Sequence, residues 1–296
     1  MNTTKKIQHK KPLVGIIIIN FNNNEDTMDC IDSCKQLSYR HYKLYLVDNG
    51  SDYPIKLNQL STNNHYIQLD KNIGFAGAAN IGIKKAMRDG ASYIWLLNND
   101  TLVKKNTLNS LVKCALKNAR YAIFGSIINY YVEPKKIWFG GGYLPLKDDL
   151  EPHINCKLES HKNPFEVDWV CGCSMFVRTE VIKKIGLMSE RYFLYWEDVD
   201  WCQKFLKKDY GCMMVPNSLV LHKVGATAGK NKALQLRYHI RNKLWFWSKK
   251  NFIVVLKFLY LQSIIAIKNP THVKDNLPLY QGIIDFILRR KGEIKS

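Results

Sequence analysis

Two acidic clusters stand far apart in this chain: Leu97-Asn98-Asn99-Asp100-Thr101 and Tyr195-Trp196-Glu197-Asp198-Val199-Asp200-Trp201. The first ends the apolar run Tyr93-Ile94-Trp95-Leu96-Leu97, which predicts a buried strand delivering its last residues to a sheet edge. The second places three acids at the start of a helical pattern whose apolar side is Val199, Cys202, Phe205 and Leu206. A carboxylate at a strand end can hold a metal-bound phosphate, with oxygen ligands that suit Mg2+ or Mn2+. A carboxylate crowded by Tyr192, Phe193, Tyr195, Trp196 and Trp201 can have its pKa raised toward that of a useful general base. The plainer alternative is that acids favour a first helical turn because of the dipole and the free N–H groups there. Taken as chemistry, the two sites divide the labour of transfer from a nucleotide-activated donor.

Other motifs surround these. Val47-Asp48-Asn49-Gly50-Ser51 ends an apolar run, where an acid can accept hydrogen bonds from a sugar hydroxyl or a base N–H, or where good turn formers simply make a turn. Asn72-Ile73-Gly74-Phe75-Ala76-Gly77-Ala78-Ala79-Asn80 is a small-residue turn opening a helix, which lets backbone N–H groups approach a phosphate or ribose. Its glycines, at 74, 77 and 82, do not have the GxGxxG spacing, and residues 225–230 do not form a Walker loop. Asn98-Asn99-Asp100 resembles a DxD diphosphate–metal motif that keeps only its last carboxylate. Such a site is weak and fills when a nucleotide diphosphate brings the other ligands. His222 follows an apolar run and reads as structural or as a ligand. The Gly225-Ala226-Thr227-Ala228-Gly229 stretch after it suggests a loop that closes over a nucleotide.

The elements that must position these residues alternate through the first half. Strands are predicted over 14–21, 42–47, 66–69 and 93–97, with helices over 25–37, 74–88 and 107–119. This spacing suits βαβ units in a doubly wound α/β sheet, whose ligands lie at the carboxyl ends of the strands. Later segments 122–131, 136–143, 167–177 and 212–222 read as strands or extended chain, broken by Gly140-Gly141-Gly142 and three prolines. Cys171 and Cys173 alternate within one of them. No repeat or linker divides this part, so residues 12–236 read as one domain between a basic tail (1–11) and a C-terminal segment (237–296).

That last segment mixes cations, aromatics and aliphatics. Its run over 252–267 is interrupted by Lys257 and Gln262 and falls short of the roughly twenty apolar residues a membrane span needs. A basic helix lying in the membrane interface and an ordinary helix packed on the core both fit. The net charge of +19 calls for an anionic partner: nucleic acid, an acidic membrane surface or a phosphorylated substrate. With 46% hydrophobic residues the chain is globular rather than disordered. Eight cysteines without a CxxC pair argue for buried reduced thiols, not a zinc site or a disulfide scaffold. The run over 14–19 is too short for a signal peptide and reads as a first core strand.

In order, Asn20-Phe21-Asn22, Asp48-Asn49-Gly50-Ser51, Asn72-Ile73-Gly74-Phe75-Ala76-Gly77, Leu97-Asn98-Asn99-Asp100-Thr101, Glu197-Asp198-Val199-Asp200 and His222 resemble a family-2 glycosyltransferase of the GT-A fold. The likeness covers roughly residues 12–230 and is nearest the bacterial rhamnosyltransferase-like branch that builds O-antigens and related polysaccharides. It implies a doubly wound, mostly parallel sheet with a mixed second half and a C-terminal helical segment. It also implies inverting transfer from a nucleotide-diphosphate sugar, dTDP- or UDP-linked, to a glycan or lipid-linked glycan, on the cytoplasmic side and peripheral on the plasma membrane. Asn20, Asn22, Asp48, Asn72, Gly74, Phe75, Gly77, Asn80, Asn98, Asn99 and Asp100 would form the donor side. Asp100 and His222 would hold Mg2+ or Mn2+. Asp198 would be the base, with Glu197 as the alternative. Trp169, Cys171, Gly172 and Trp196 would lie near the acceptor, although cysteines there depart from the family's small residues. Asn98 departs from the more usual Asp and weakens the metal site.

Two other readings remain. A sugar nucleotidyltransferase would carry a Gly-rich loop with Arg and Lys after the first strand, where this chain has Asn22-Asn23-Asn24-Glu25. A nucleic-acid or lipid-binding protein would use the positive charge, but only residues 237–260 interleave cations with aromatics, so no nucleic-acid partner is expected.

Overall fold

Strands apolar on both faces need cover on both sides, and the first half supplies it by alternating strand with helix. The computed structural model describes residues 11–56, 64–145, 150–156, 162–224 and 232–294. β1 (Val14–Asn20), α1 (Asn24–Lys35), β2 (Tyr42–Asp48), β3 (Asn64–Gln68), α2 (Gly74–Arg88) and β4 (Tyr93–Asn98) follow in order. Their strands pair in parallel as β3-β2-β1-β4. The small residues of α2 let it lie close on this sheet: a Cβ on Gly82 would sit 2.5 Å from Ile17 Cγ2, and one on Gly15 of β1 2.6 Å from Ala86 Cβ. The Gly/Ala pattern therefore serves helix–sheet packing along most of its length.

The chain continues through β5 (Thr101–Val103), α3 (Thr107–Lys117), β6 (Tyr121–Tyr130), β7 (Ile137–Phe139), β8 (Gly142–Tyr143), β9 (His153–Ile154), β10 (Phe165–Val167), β11 (Ser174–Arg178), α4 (Thr179–Ile185), α5 (Glu197–Leu206) and β12 (Gly211–His222). β11 runs antiparallel between β4 and β6, while β12 runs parallel to β6 and carries β10 and β5 antiparallel. The result is a ten-stranded mixed sheet, with β8 and β9 forming a small separate one. Two predicted strands divide. The 136–143 segment splits at Gly141, whose φ of +119° no side chain adopts easily. The 167–177 segment leaves the sheet over 168–173 and re-enters at Ser174, so Cys171 and Cys173 belong to a turn and not to a strand.

Four helices complete the described chain: α6 (Lys232–Lys250), α7 (Phe252–Lys268), α8 (Pro270–Asp275) and α9 (Leu277–Ile287). The basic, aromatic segment is thus two helices, parted at Asn251, whose side chain accepts from Val254 N–H and caps α7. The division expected at residue 236 falls within α6. Tyr238, Leu244, Trp245, Phe246 and Trp247 of α6 are buried, whereas α7 buries only Val254 and Val255. Among the described residues no helix is long and apolar enough to cross a membrane. All eight cysteines are free thiols, and Cys30, Cys34 and Leu37 lie in the core under α1 as their spacing suggests.

Candidate active site

The parallel ladder builds one half of the site. Asn20 stands beside Asp48 and Ile19 beside Asn98, so β1, β2 and β4 deliver their last residues to the same edge. Asn20 Nδ2 donates to Asp48 Oδ2 at 2.8 Å, and Asn20 Oδ1 accepts from Thr27 Oγ1 at 2.9 Å. Asp48 Oδ1 accepts from the Ser51 N–H at 2.8 Å. Asn20 and Asp48 are wholly buried and pin the following turn to β1. Asn22, in the left-handed region at φ 52°, closes that turn by bonding Asp52 through both ends of its amide.

Protein groups meet the first two N–H groups of α2. Gly74 N–H donates to Asn72 Oδ1 and Phe75 N–H to Phe193 O, at 2.9 and 2.8 Å. Asn80 holds the 188–190 segment, donating to Met188 O and Glu190 Oε1 and accepting from Met188 N–H. These residues also mount the loop that precedes α5. Gly77 is buried against Ile73.

Asp100 sits between β4 and β5. Because β5 pairs with β12 with Thr101 opposite His222, register alone brings Asp100 and His222 together. Asp100 Oδ1 lies 3.1 Å from His222 Nε2, with both side chains buried. The pair lacks hydrogen-bond geometry, leaving Asp100 Oδ1 and His222 Nδ1 without partners. Trp138 packs edge-on against the imidazole, with ring centroids 4.5 Å apart. An orphaned carboxylate oxygen facing an imidazole nitrogen fits a divalent cation, although among the described residues no group of three such ligands converges. Half-buried Asn98 and Asn99 lie alongside, and Asn99 Nδ2 donates to Thr27 Oγ1 at 2.9 Å.

The second acidic cluster begins α5 as the sequence predicts. Tyr195 and Trp196 before it both adopt left-handed backbone, φ 70° and 75°, a strained pairing for bulky residues. Asp198 Oδ2 accepts from the Gly172 N–H at 2.9 Å, and Oδ1 from the Val199 N–H at 2.8 Å. Burial pushes the Asp198 carboxyl above its ordinary range, against the lowering effect of those N–H donors. Glu197 is buried with Oε2 unpartnered, and burial followed by the Asp198 charge drives its pKa well up. Cys171 lies beside them, its thiol also raised by burial and by Asp198. Asp200 turns away to Tyr192, Lys204 and Lys249.

One short segment joins the two halves. Asn98 N–H donates to Cys173 O at 3.0 Å, and Gly172 N–H, next in the chain, holds Asp198. A Cβ on Gly172 would lie 3.3 Å from the Phe75 ring. The structure therefore brings together Asn98, Asp100, His222, Gly172, Cys171, Phe75, Asp198 and Glu197. It sets other predicted residues apart. Trp169 is buried against Phe139 with its indole N–H unpartnered, and Trp196 is buried against Phe246 and donates to His239 Nδ1 at 3.3 Å. Arg241 of α6, although a cation, is fully buried between Tyr238 and Trp245. Two contacts to the α5 turn, from His239 and Asn242, went unread, because their i, i+3 spacing carries no signal until the partner loop is known. The 225–229 loop lies outside the described residues.

Residues 15–186 match the model of Glycosyl transferase family 2. The chain is 22% identical over 248 residues to a dTDP-rhamnosyl transferase, RfbF, of Shigella flexneri, covering 81% of this chain and 79% of that one. It is 25% identical over 236 residues to an N-acetylglucosaminyl-diphospho-decaprenol L-rhamnosyltransferase of Mycobacterium tuberculosis, covering 72% and 76%. Among solved structures, a mannosyltransferase from Pyrobaculum calidifontis in complex with GDP-Man and Mn2+ superposes with a TM-score of 0.60 at 11% identity, covering 96% and 89%. GalNAc-T7 with UDP, GalNAc and Mn2+ gives 0.64 at 16%, covering 82% of this chain, which spans 51% of that longer one. At these identities the likeness establishes the fold, which is GT-A.

Proposed function

The chain belongs to glycosyl transferase family 2, and from that membership we propose that it is an inverting enzyme moving rhamnose or another hexose from a nucleotide-diphosphate sugar to a hydroxyl of a glycan or lipid-linked glycan. The observation that carries this reading is the 172–173 bridge, which ties the strand end bearing Asp100 to the carboxylate of Asp198. Asp198 is the proposed base. Its Oδ2 is oriented by Gly172 N–H, and its raised pKa suits a group that must accept a proton near neutrality. As the acceptor oxygen bonds to the anomeric carbon, Asp198 takes its proton. The bond from that carbon to the diphosphate oxygen breaks on the opposite face, and its electron pair leaves with the nucleoside diphosphate. Glu197 is the alternative base.

Asp100 and His222 are the residues that would hold Mg2+ or Mn2+. A bound ion there would supply positive charge against the leaving diphosphate. We assign donor contacts to the half-buried rim of Asn72, Phe75, Asn98 and Asn99 and to the exposed Asn22, which Asn20, Asp48, Gly74, Gly77 and Asn80 shape from beneath. The acceptor would pass Cys171 and Gly172, with Trp169 and Trp196 as buried wall. A dTDP-linked donor is favoured by the name of the Shigella relative and a lipid-linked acceptor by that of the mycobacterial one, with a UDP-linked donor as the alternative. Exposed apolar residues on α7, within the 237–296 segment, then face an acidic membrane, on the cytoplasmic side.

A thermal-shift titration with UDP, dTDP, GDP and CDP, each with Mn2+ or EDTA, tests the donor side. A ligand binding only the native state raises apparent stability by mass action. We expect a Mn2+-dependent rise with dTDP or UDP. No rise with any nucleotide would sink the reading.

A further inference from the structure

The turn that presents the acidic pair is held from one face of α6. Three residues at i, i+3 and i+7, namely His239, Asn242 and Phe246, grip it. Asn242 Nδ2 donates to Leu194 O at 2.8 Å and to Tyr195 O at 3.1 Å. His239 Nδ1 accepts from the Trp196 indole at 3.3 Å, and Phe246 packs on the Trp196 ring. These contacts fall on the residues whose left-handed backbone aims α5. Such backbone persists only where its surroundings over-determine it.

Asn242 is itself fixed. Its Oδ1 accepts from Arg241 Nε at 3.0 Å, and Arg241 Nη2 donates to Gly292 O at 2.9 Å. Both side chains are fully buried. One turn earlier, Arg237 pairs with the buried Asp285 of α9. We propose that Asn242 is a positioning residue for the reaction: by clamping the carbonyls of Leu194 and Tyr195 it holds the strained turn that opens α5 and sets Asp198 against Gly172. The inference rests on Asp198 being the base. It gives the C-terminal helices a part in catalysis that membrane attachment alone does not.

The test uses the full-length chain carrying Asn242→Ala, Asp198→Asn, or both. Turnover, donor KM and the Mn2+–dTDP and Mn2+–UDP thermal shifts are measured alongside amide hydrogen exchange of residues 192–200. We expect Asn242→Ala to lower kcat at least tenfold, leave donor KM and the nucleotide shift within twofold, and speed exchange in that peptide above all others. Combined with Asp198→Asn, it should lower kcat little further, because both changes act through one group. Additive losses in the double variant would overturn the proposal. So would a parallel loss of nucleotide binding, or exchange unchanged in the turn. If the parent chain binds no nucleotide and transfers no sugar, the functional reading fails instead, and hydrogen exchange still judges the clamp. Asn242→Gln, which keeps the donor at a longer reach, should restore part of the lost kcat; no recovery together with global destabilisation would also overturn it.

Discussion

Two consecutive carboxylates carry opposite consequences for rate and for stability. Asp198 must be ionised to accept a proton, and burial holds its pKa above the ordinary range. Turnover should therefore fall on acidification, with a midpoint above that of a solvated aspartate, as a pH–rate profile will show. Asp198→Asn should leave Mn2+–nucleotide binding intact while lowering kcat about 10²–10⁴-fold; retained turnover would pass the role to Glu197. The raised pKa of Glu197 is a stability statement. Its folded form prefers the proton, so its favourable contribution is complete below the ordinary glutamate range and disappears as pH rises through the raised value. Glu197→Gln should accordingly raise Tm more at pH 8 than at pH 4, and an equal gain at both would argue against this account. Asp100→Ala should weaken nucleotide binding mainly with Mn2+ present, because the Asp100 oxygen facing His222 has no protein hydrogen bond to lose. Much of this was legible from residue type alone: Asp100, Asp198 and Glu197 stood out as acids beside apolar runs. The use of Asp48 and Asn80 as internal braces was not legible, since an acid or amide at a turn looks the same whether it faces a ligand or a backbone.

At the scale of elements, α2 came out with its predicted limits because Gly74 and Arg88 bound a continuous small and apolar pattern. β1, β2 and β4 followed from their apolar runs, whereas β3 begins two residues before its expected start, at the polar Asn64-His65, and the three-residue β5 was not expected. The 168–173 turn did not follow, since apolar residues in a buried loop and in a buried strand have the same composition. What decides it is tertiary: the Gly172 N–H is claimed by Asp198, which no local pattern encodes. Gly74 shows how tightly these elements meet. Its φ is +81°, and a Cβ there would sit 2.5 Å from Phe193 O. Gly74→Ala should cost on the order of 3 kcal/mol through backbone strain and overpacking together, and should lower kcat as the α5 turn shifts. A calorimetric or denaturant ΔG within error of the parent would show that the loop yields easily.

For the molecule as a whole, charge and apolar exposure coincide on the C-terminal helices. Ile253, Tyr260 and Ile267 of α7 are 66, 70 and 79% exposed, an unusual surface for a helix so apolar. Lys249 and Lys250 precede them and Lys268 follows. With a net charge of +19 the protein should sediment with anionic phospholipid vesicles and not with neutral ones, and added salt should weaken the association. Tyr260→Asp should reduce vesicle binding while leaving Mn2+–nucleotide binding as it was; equal sedimentation of the two proteins would remove α7 from that role. The overall charge pointed to an anionic partner from the start. That α6 would be core while α7 stays exposed was hidden, because both helices mix cations with aromatics and differ only in what covers them.

The pairing of Thr101 with His222 makes the Asp100–His222 pair a matter of reading frame. Alternation along a strand means that sliding β12 by one residue would turn His222 to the opposite face of the sheet. Between Val215 and Leu219, however, the partnership of β12 with β6 already slips, at the segment containing Pro216. Bulges of this kind absorb extra residues locally. A lineage of such chains is therefore free to gain or lose length upstream of Leu219 and keep its histidine. The same change in the last turn of sheet before His222 would erase the site in a single step, without altering any of the residues that compose it.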